Sequence, residues 1–269
     1  MRRKIEGQHH PLVKTVRRMV RSGELAEDGF VLLETVRLIE DALASGVEIT
    51  SVLVNSRAVG RFNRLLERLP VETAVYEVAA KVFETLVTTE TSQGILALAA
   101  EPRWQEEDLF PSGRPPLILV LAGLQDPGNL GTVLRAAEAF GATGVLLTQG
   151  TVSPYNAKAI RATAGALFRL PVLRGLSVAT ILALLRRRKV KLLTSVVAAG
   201  TSLSKANLTG PIAVVFGSEG AGAPPEFRAA GEPLTIPLAP AVESLNVAAA
   251  AAVILYEIAR QRKAVTSGE

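Results

Sequence analysis

The chain has 269 residues, no cysteine, and only two histidines, His9 and His10. Hydrophobic residues make up 48% and charged residues 20%, enough apolar material for a core and too little charge for a mainly disordered chain. The missing cysteines exclude disulfides, thiolate chemistry and Cys-ligated zinc, and two histidines near the N-terminus exclude a His-based triad deep in the fold.

The net charge of +5 is unevenly spread. Residues 1–21 carry Arg2, Arg3, Lys4, Lys14, Arg17, Arg18 and Arg21 against a single acid, Glu6. Residues 116–269 hold 15 basic and 8 acidic residues. Such patches suit a polyanionic partner such as RNA, or equally the solvated faces of basic helices. No apolar segment follows the basic Arg2–Lys4, so no signal peptide is expected. The apolar stretch 247–256 is far shorter than the roughly 20 residues that span a bilayer. The expectation is a cytoplasmic protein with no membrane segment.

In chain order, Pro11–Arg21 has helical spacing through Leu12, Val16, Met19 and Val20. Phe30–Leu33 reads as a strand, Val36–Leu43 as an amphipathic helix, Ile49–Val54 as a strand and Phe62–Leu69 as a helix. Strands at Ala74–Glu77 and Ile95–Ala100 complete a small N-terminal α/β domain, residues 1–100. Residues 101–115, rich in Pro and acids and without periodicity, read as a linker. Residues 116–269 then alternate: strands at 116–122, 144–148, 191–197, 212–216 and 234–236, with helices at 128–140, 156–168, 178–188 and 244–262. That alternation predicts an α/β domain with a mainly parallel sheet and helices on both faces.

Three segments break this pattern at predicted strand ends. The first is Leu124-Gln125-Asp126-Pro127-Gly128-Asn129-Leu130-Gly131, in which Pro127 opens a helix. Leu130, Val133, Leu134, Ala137 and Phe140 form its apolar stripe, so Arg135 faces away from the core, either as a solvated cation paired with Glu138 or as a functional group. The second is Phe216-Gly217-Ser218-Glu219-Gly220-Ala221-Gly222. It lacks the lysine of a P-loop and the glycine spacing of a dinucleotide fingerprint. What remains is a tight loop where a ligand meets backbone, or a plain turn with a solvated glutamate. The third is Ile236-Pro237-Leu238 followed by Glu243-Ser244-Leu245-Asn246. Ser244 reads as a helix N-cap, which leaves Asn246 unexplained within the first turn. In an open α/β sheet, loops at strand ends gather into one pocket.

Together these segments resemble, in order and spacing, the three signature motifs of the SpoU/TrmH family of RNA 2′-O-ribose methyltransferases. The stretch Pro154-Tyr155-Asn156-Ala157-Lys158 through Arg161 to Gly165 fits that family as well. Phe30–Leu43 and residues 78–97 resemble the small substrate-binding domain of its ribosomal-RNA members. The resemblance implies a C-terminal trefoil knot, a homodimer with its site beside the subunit interface, and S-adenosylmethionine bound near Gly217, Gly220, Ile236, Leu238 and Leu245. It assigns catalytic positions to Asn129, Arg135, Glu219, Ser244 and Asn246, and RNA contacts to Lys14, Arg17, Lys158 and Arg161, with no metal. Leu238 stands where the family commonly has methionine, and Thr35 where the N-terminal domain usually has glycine. The implied reaction is methylation of a ribose in structured RNA, with large-subunit ribosomal RNA favoured. Transfer RNA as substrate, or a catalytically silent RNA-binding protein of the same fold, are the alternatives. Arg135 would act as base or as electrostatic stabiliser; a guanidinium is a reluctant base.

Overall fold

A computed structural model describes residues 2–88 and 91–267. Thr89 and Glu90, within the 78–97 segment, lie outside the described residues, as do Met1, Gly268 and Glu269. The chain forms two compact units: one runs up to Arg103 and includes Ser153–Phe168, the other comprises Trp104–Val152 and the chain from Arg169 onward. Ser153–Phe168, within the stretch 116–269, groups with the first unit.

The first unit opens with β1 (Arg3–Ile5), α1 (Pro11–Ser22), β2 (Phe30–Leu33), α2 (Val36–Ala44) and β3 (Ile49–Asn55). It continues with α3 (Asn63–Leu66), β4 (Ala74–Val78), α4 (Ala80–Phe83) and β5 (Ile95–Ala100). The sheet order is β1-β4-β3-β5-β2, with β5 antiparallel to both neighbours. His10 accepts from Leu12 N–H to cap α1, whose buried stripe Val13, Val16 and Met19 packs on Leu53, Leu96 and Leu98. The basic N-terminal stretch contributes β1, an edge strand parallel to β4. The helix expected over 62–69 shrinks to α3 behind a 3-10 turn, Val59–Phe62.

In the second unit come β6 (Leu117–Ala122), α5 (Pro127–Ala139) and β7 (Gly144–Thr148). After α6 (Ala157–Thr163), which belongs to the first unit, follow β8 (Val172–Leu176), α7 (Val178–Arg187), β9 (Lys191–Val196) and β10 (Thr201–Ser202). Last are β11 (Ile212–Gly217), α8 (Pro225–Ala230), β12 (Glu232–Thr235) and α9 (Val247–Ser267). The helix expected over 156–168 breaks at Ala164, which is left-handed at φ 48°, and resumes as a 3-10 turn, Ala166–Phe168. The seven strands run β10-β12-β9-β11-β6-β7-β8, and every pairing is parallel. Strand alternation sends Ile118, Val120 and Ala122 toward a core shared with Ile181, Leu184 and Phe227 of α7 and α8. Leu117, Leu119 and Leu121 therefore face the opposite side, where α9 packs on α5 and β11.

The linker is not free chain. Its 3-10 turn Glu106–Leu109 buries Leu109 against Gly144, where a Cβ would stand 2.6 Å from the leucine Cγ. Hydrogen bonds from Arg187 and Arg188 hold the Glu106 carboxyl below the usual carboxylate range. One apolar residue and two distant arginines thus hold this part of the linker against the second unit's own strands and helices.

Arg262 on α9 ties the amino ends of the strands. Its guanidinium donates to the carbonyls of Pro115 at 2.8 Å, Pro116 at 3.2 Å, Leu208 at 3.3 Å and Gly210 at 2.7 Å. Burial pushes its pKa down, with Arg114 adding to the shift. Arg262→Ala should cost about 2–4 kcal/mol in urea unfolding, since charge-assisted bonds to half-buried carbonyls are lost together. Arg262→Lys should recover less than half of that, because an ammonium cannot reproduce the planar fork.

Candidate active site

Because β6, β9 and β11 are parallel neighbours, their carboxyl ends share one edge of the sheet, and the turns that follow them meet there. After β6, Gln125 Nε2 donates to the carbonyls of Gly123 at 3.0 Å and Gly150 at 2.7 Å. Asp126 N-caps α5 by accepting from Asn129 N–H at 2.7 Å. Asn129 is thereby held in the first turn, and its own side chain is left over for other work.

After β11 the chain folds back on itself. Ser218 bridges Gly222, whose N–H donates to the Ser218 carbonyl at 2.9 Å. This brings the Gly222 carbonyl carbon to 1.9 Å from where a Cβ on Gly217 would stand, so no other residue fits at 217. Glu219 sits at the exposed tip of the turn.

The third turn corrects the sequence reading. Helix α9 begins at Val247, not at 244, and its cap is Asn246, whose Oδ1 accepts from Ala248 N–H at 2.9 Å and Ala249 N–H at 3.4 Å. Ser244 is exposed and makes no cap. β12 likewise covers Glu232–Thr235, so Ile236 falls just beyond the strand expected at 234–236.

Asn246 joins the three turns. With Oδ1 committed to backbone donors, Nδ2 must donate, and it does so to Asn129 Oδ1 at 3.1 Å. Asn129 must then offer its own Nδ2, which donates to Glu219 Oε1 at 2.6 Å. The orientation of each amide follows from the one before it.

Beside this relay lies a cavity of about 420 Å³. Gly217, Glu219, Gly220, Ile236, Leu238, Ser244, Leu245 and Asn246 all line it, and the volume is that of a cofactor-sized pocket. Backbone and aliphatic side chains dominate the walls, with Glu219 as the one charge. The sequence reading missed Ser195–Val197 at the end of β9 and Ala250 of α9, which complete the lining. Nothing distinguishes those residues from an ordinary strand end and helix turn.

Arg135 is not among the lining residues. Six positions along α5 from Asn129, it lies about 9 Å further along the axis and about 120° around it. It is exposed and makes no hydrogen bond or ion pair among the described residues. The pairing with Glu138 does not form, because Arg169 takes Glu138 in a two-pronged ion pair. The remaining expected residues are in the first unit. Lys14 is exposed on α1, and Arg17 donates to Thr85 Oγ1 at 2.9 Å. Lys158 is exposed near the start of α6. Arg161 donates to buried Glu34 at 3.1 Å and to Thr88 at 2.9 Å, so its charge is balanced inside that unit. Among the described residues no cluster of three or more metal-ligating side chains occurs.

The description of the SpoU rRNA methylase family matches residues 116–256, just over half of the chain. The chain belongs to the SpoU rRNA methylase family. Residues 10–97 of this SpoU member match an MRM3-like substrate binding domain. It is 30% identical to the 23S rRNA (guanosine(2553)-2′-O)-methyltransferase RlmP of Bacillus subtilis, over 95% of this chain and 99% of that one. It is 34% identical to the 23S rRNA (guanosine-2′-O-)-methyltransferase RlmB of Yersinia pestis, over 78% and 88%. The AdoMet-bound rRNA methyltransferase of Sinorhizobium meliloti superposes with a TM-score of 0.82 at 27% identity, covering 96% of this chain and 97% of that one.

The turn after β11 gives a direct check on the backbone argument. Gly217→Ala should destabilise the protein by about 2–4 kcal/mol in thermal or urea unfolding, since backbone must shift to admit a methyl. Gly220→Ala, where a Cβ meets nothing within 4 Å, should stay within about 0.5 kcal/mol of the parent.

Proposed function

We propose that the chain is an S-adenosylmethionine-dependent 2′-O-methyltransferase acting on a ribose in large-subunit ribosomal RNA. The observation that carries this is the relay Asn246–Asn129–Glu219, which ties the first turn, through Asn129, to the two turns that line the cavity. The residues fit the cofactor. A backbone surface at Gly217 and Gly220 lets a flat or extended ligand approach closely, Ile236, Leu238 and Leu245 supply apolar cover, and Glu219 supplies a negative charge suited to a sulfonium. When bound, S-adenosylmethionine supplies an electrophilic methyl group and needs no metal. The names of the Bacillus subtilis and Yersinia pestis relatives support the reaction and the choice of ribosomal RNA. The knot implied by the resemblance, with the chain end tucked through a loop, belongs to this proposal.

The relay holds Asn129 and Glu219 still, so an incoming ribose hydroxyl meets a fixed acceptor instead of mobile side chains. Arg135, as a planar cation, clamps the adjacent RNA phosphate and stabilises the oxyanion as the hydroxyl proton passes to water. Its absence from the lining of its own chain's cavity points to a second copy. On α9, Ala249, Val253 and Tyr256 form an exposed stripe, with Tyr256 against Phe140 at the end of α5. A homodimer through the α5–α9 face covers this stripe and carries Arg135 toward the partner's cavity. Arg135→Ala should lower turnover about 10²–10³-fold while binding S-adenosylmethionine within about twofold of the parent. Arg135→Lys should restore little, the planar two-pronged contact being lost. Mixing Arg135→Ala with Gly217→Ala subunits should recover activity, since only the first retains a cavity and only the second retains the arginine. Failure of the mixture would place Arg135 in its own chain's site.

RNA is gripped by the first unit. Lys14, Arg17, Arg18 and Arg21 share one face of α1, opposite its buried stripe, and β1 adds Arg3 and Lys4. Arg161 acts there as an internal brace between α6 and Glu34. Because residues 153–168 pack in this unit, deleting residues 1–100 would expose α6; charge reversal is the cleaner test. Lys14→Glu with Arg21→Glu should weaken ribosomal-RNA binding about tenfold or more at low salt, flatten its salt dependence, and leave S-adenosylmethionine affinity unchanged.

A further inference from the structure

A second cavity, about 590 Å³, opens on the same carboxyl edge of the parallel sheet, beyond β6, β7 and β8. Ser218, Ala221 and Gly222 line both cavities, so the turn after β11 is a common wall between them. The walls of the second cavity are apolar at Leu176, Val178, Pro224 and Pro225. No carboxylate lines it. Two polar side chains, Gln149 after β7 and Arg228 on α8, reach it without a hydrogen-bond partner among the described residues.

An apolar slot, one carboxamide and one unneutralised guanidinium match the face and edge of a base and a phosphate. Apolar walls take a base face, a carboxamide both donates to and accepts from a base edge, and a guanidinium takes a phosphate. The absence of acids in the lining keeps the site open to an anion. An RNA chain presenting a ribose at the first cavity continues past the separating turn, and the next chamber it meets is this one.

We infer that this cavity seats a nucleotide flanking the one that is methylated, with Gln149 on the edge of its base and Arg228 on its phosphate. The inference rests on the first cavity being the donor's. It assigns to this site a share of substrate selection: the neighbouring base is read here, while the first unit grips RNA through phosphates.

The test begins with the first cavity saturated by S-adenosylhomocysteine, so that added nucleotides cannot lodge there. The four ribonucleoside 5′-monophosphates are then titrated and followed by saturation-transfer NMR. At least one should bind saturably, and Arg228→Glu and Gln149→Ala should each weaken it about tenfold or more, with S-adenosylhomocysteine affinity unchanged. On ribosomal RNA from a strain lacking the enzyme, Arg228→Glu should raise KM about tenfold or more with kcat nearly kept. Gln149→Ala should relax the preference for one neighbouring base. Absence of nucleotide binding to the saturated protein, or equal binding by Arg228→Glu, overturns the site. Loss of nucleotide binding with an unchanged KM for RNA makes it a free-nucleotide site and overturns the RNA assignment. If S-adenosylhomocysteine itself fails to bind, the donor reading fails instead.

Discussion

The arrangement depends on one side chain that has no freedom to turn over. Helix α9 begins with backbone N–H groups that need an acceptor, and Asn246 Oδ1 provides it for Ala248 and Ala249. That fixes Nδ2 as a donor, which fixes Asn129, which fixes the bond to Glu219. The two side-chain bonds join residues 117 and 90 positions apart, so a local helix cap sets the geometry of a site assembled from the whole second unit.

Magnitudes separate what holds the fold from what shapes the site. The relay is exposed, and each of its side-chain hydrogen bonds is worth on the order of 1 kcal/mol net. β6 alone buries all six of its residues, each large apolar one contributing about 1.5–3 kcal/mol. The sheet therefore brings the three turns together, and the relay decides how their polar groups point once they are there. A network that adds little stability yet fixes every amide is a positioning device.

Much of this was legible in the sequence. Unbroken apolar runs such as 117–122 and 212–216 could only be buried parallel strands, and the glycines around 217 signalled close backbone approach. What escaped was decided by distant partners. β1 is a three-residue strand made by pairing to β4, not by its own alternation, and the Arg174–Gly175 pair within β8 hides an edge strand. Ser244 and Asn246 are equally good caps by type, and Asn246 caps because the chain crosses the cavity before it turns helical. Arg135 is the reverse case: its helix face was correct, but its expected partner Glu138 had already been taken by Arg169, 31 residues away.

The central claim is that the turns after β11 and β12, tied together through Asn129, cradle the methyl donor. A crystal structure of the protein with S-adenosylhomocysteine measures it most directly. The account predicts the ligand against Gly217, Ile236 and Leu245, with Asn129 still bonded to both Asn246 and Glu219. Density for the ligand over Gln149 and Arg228, or a relay broken on binding, would contradict it.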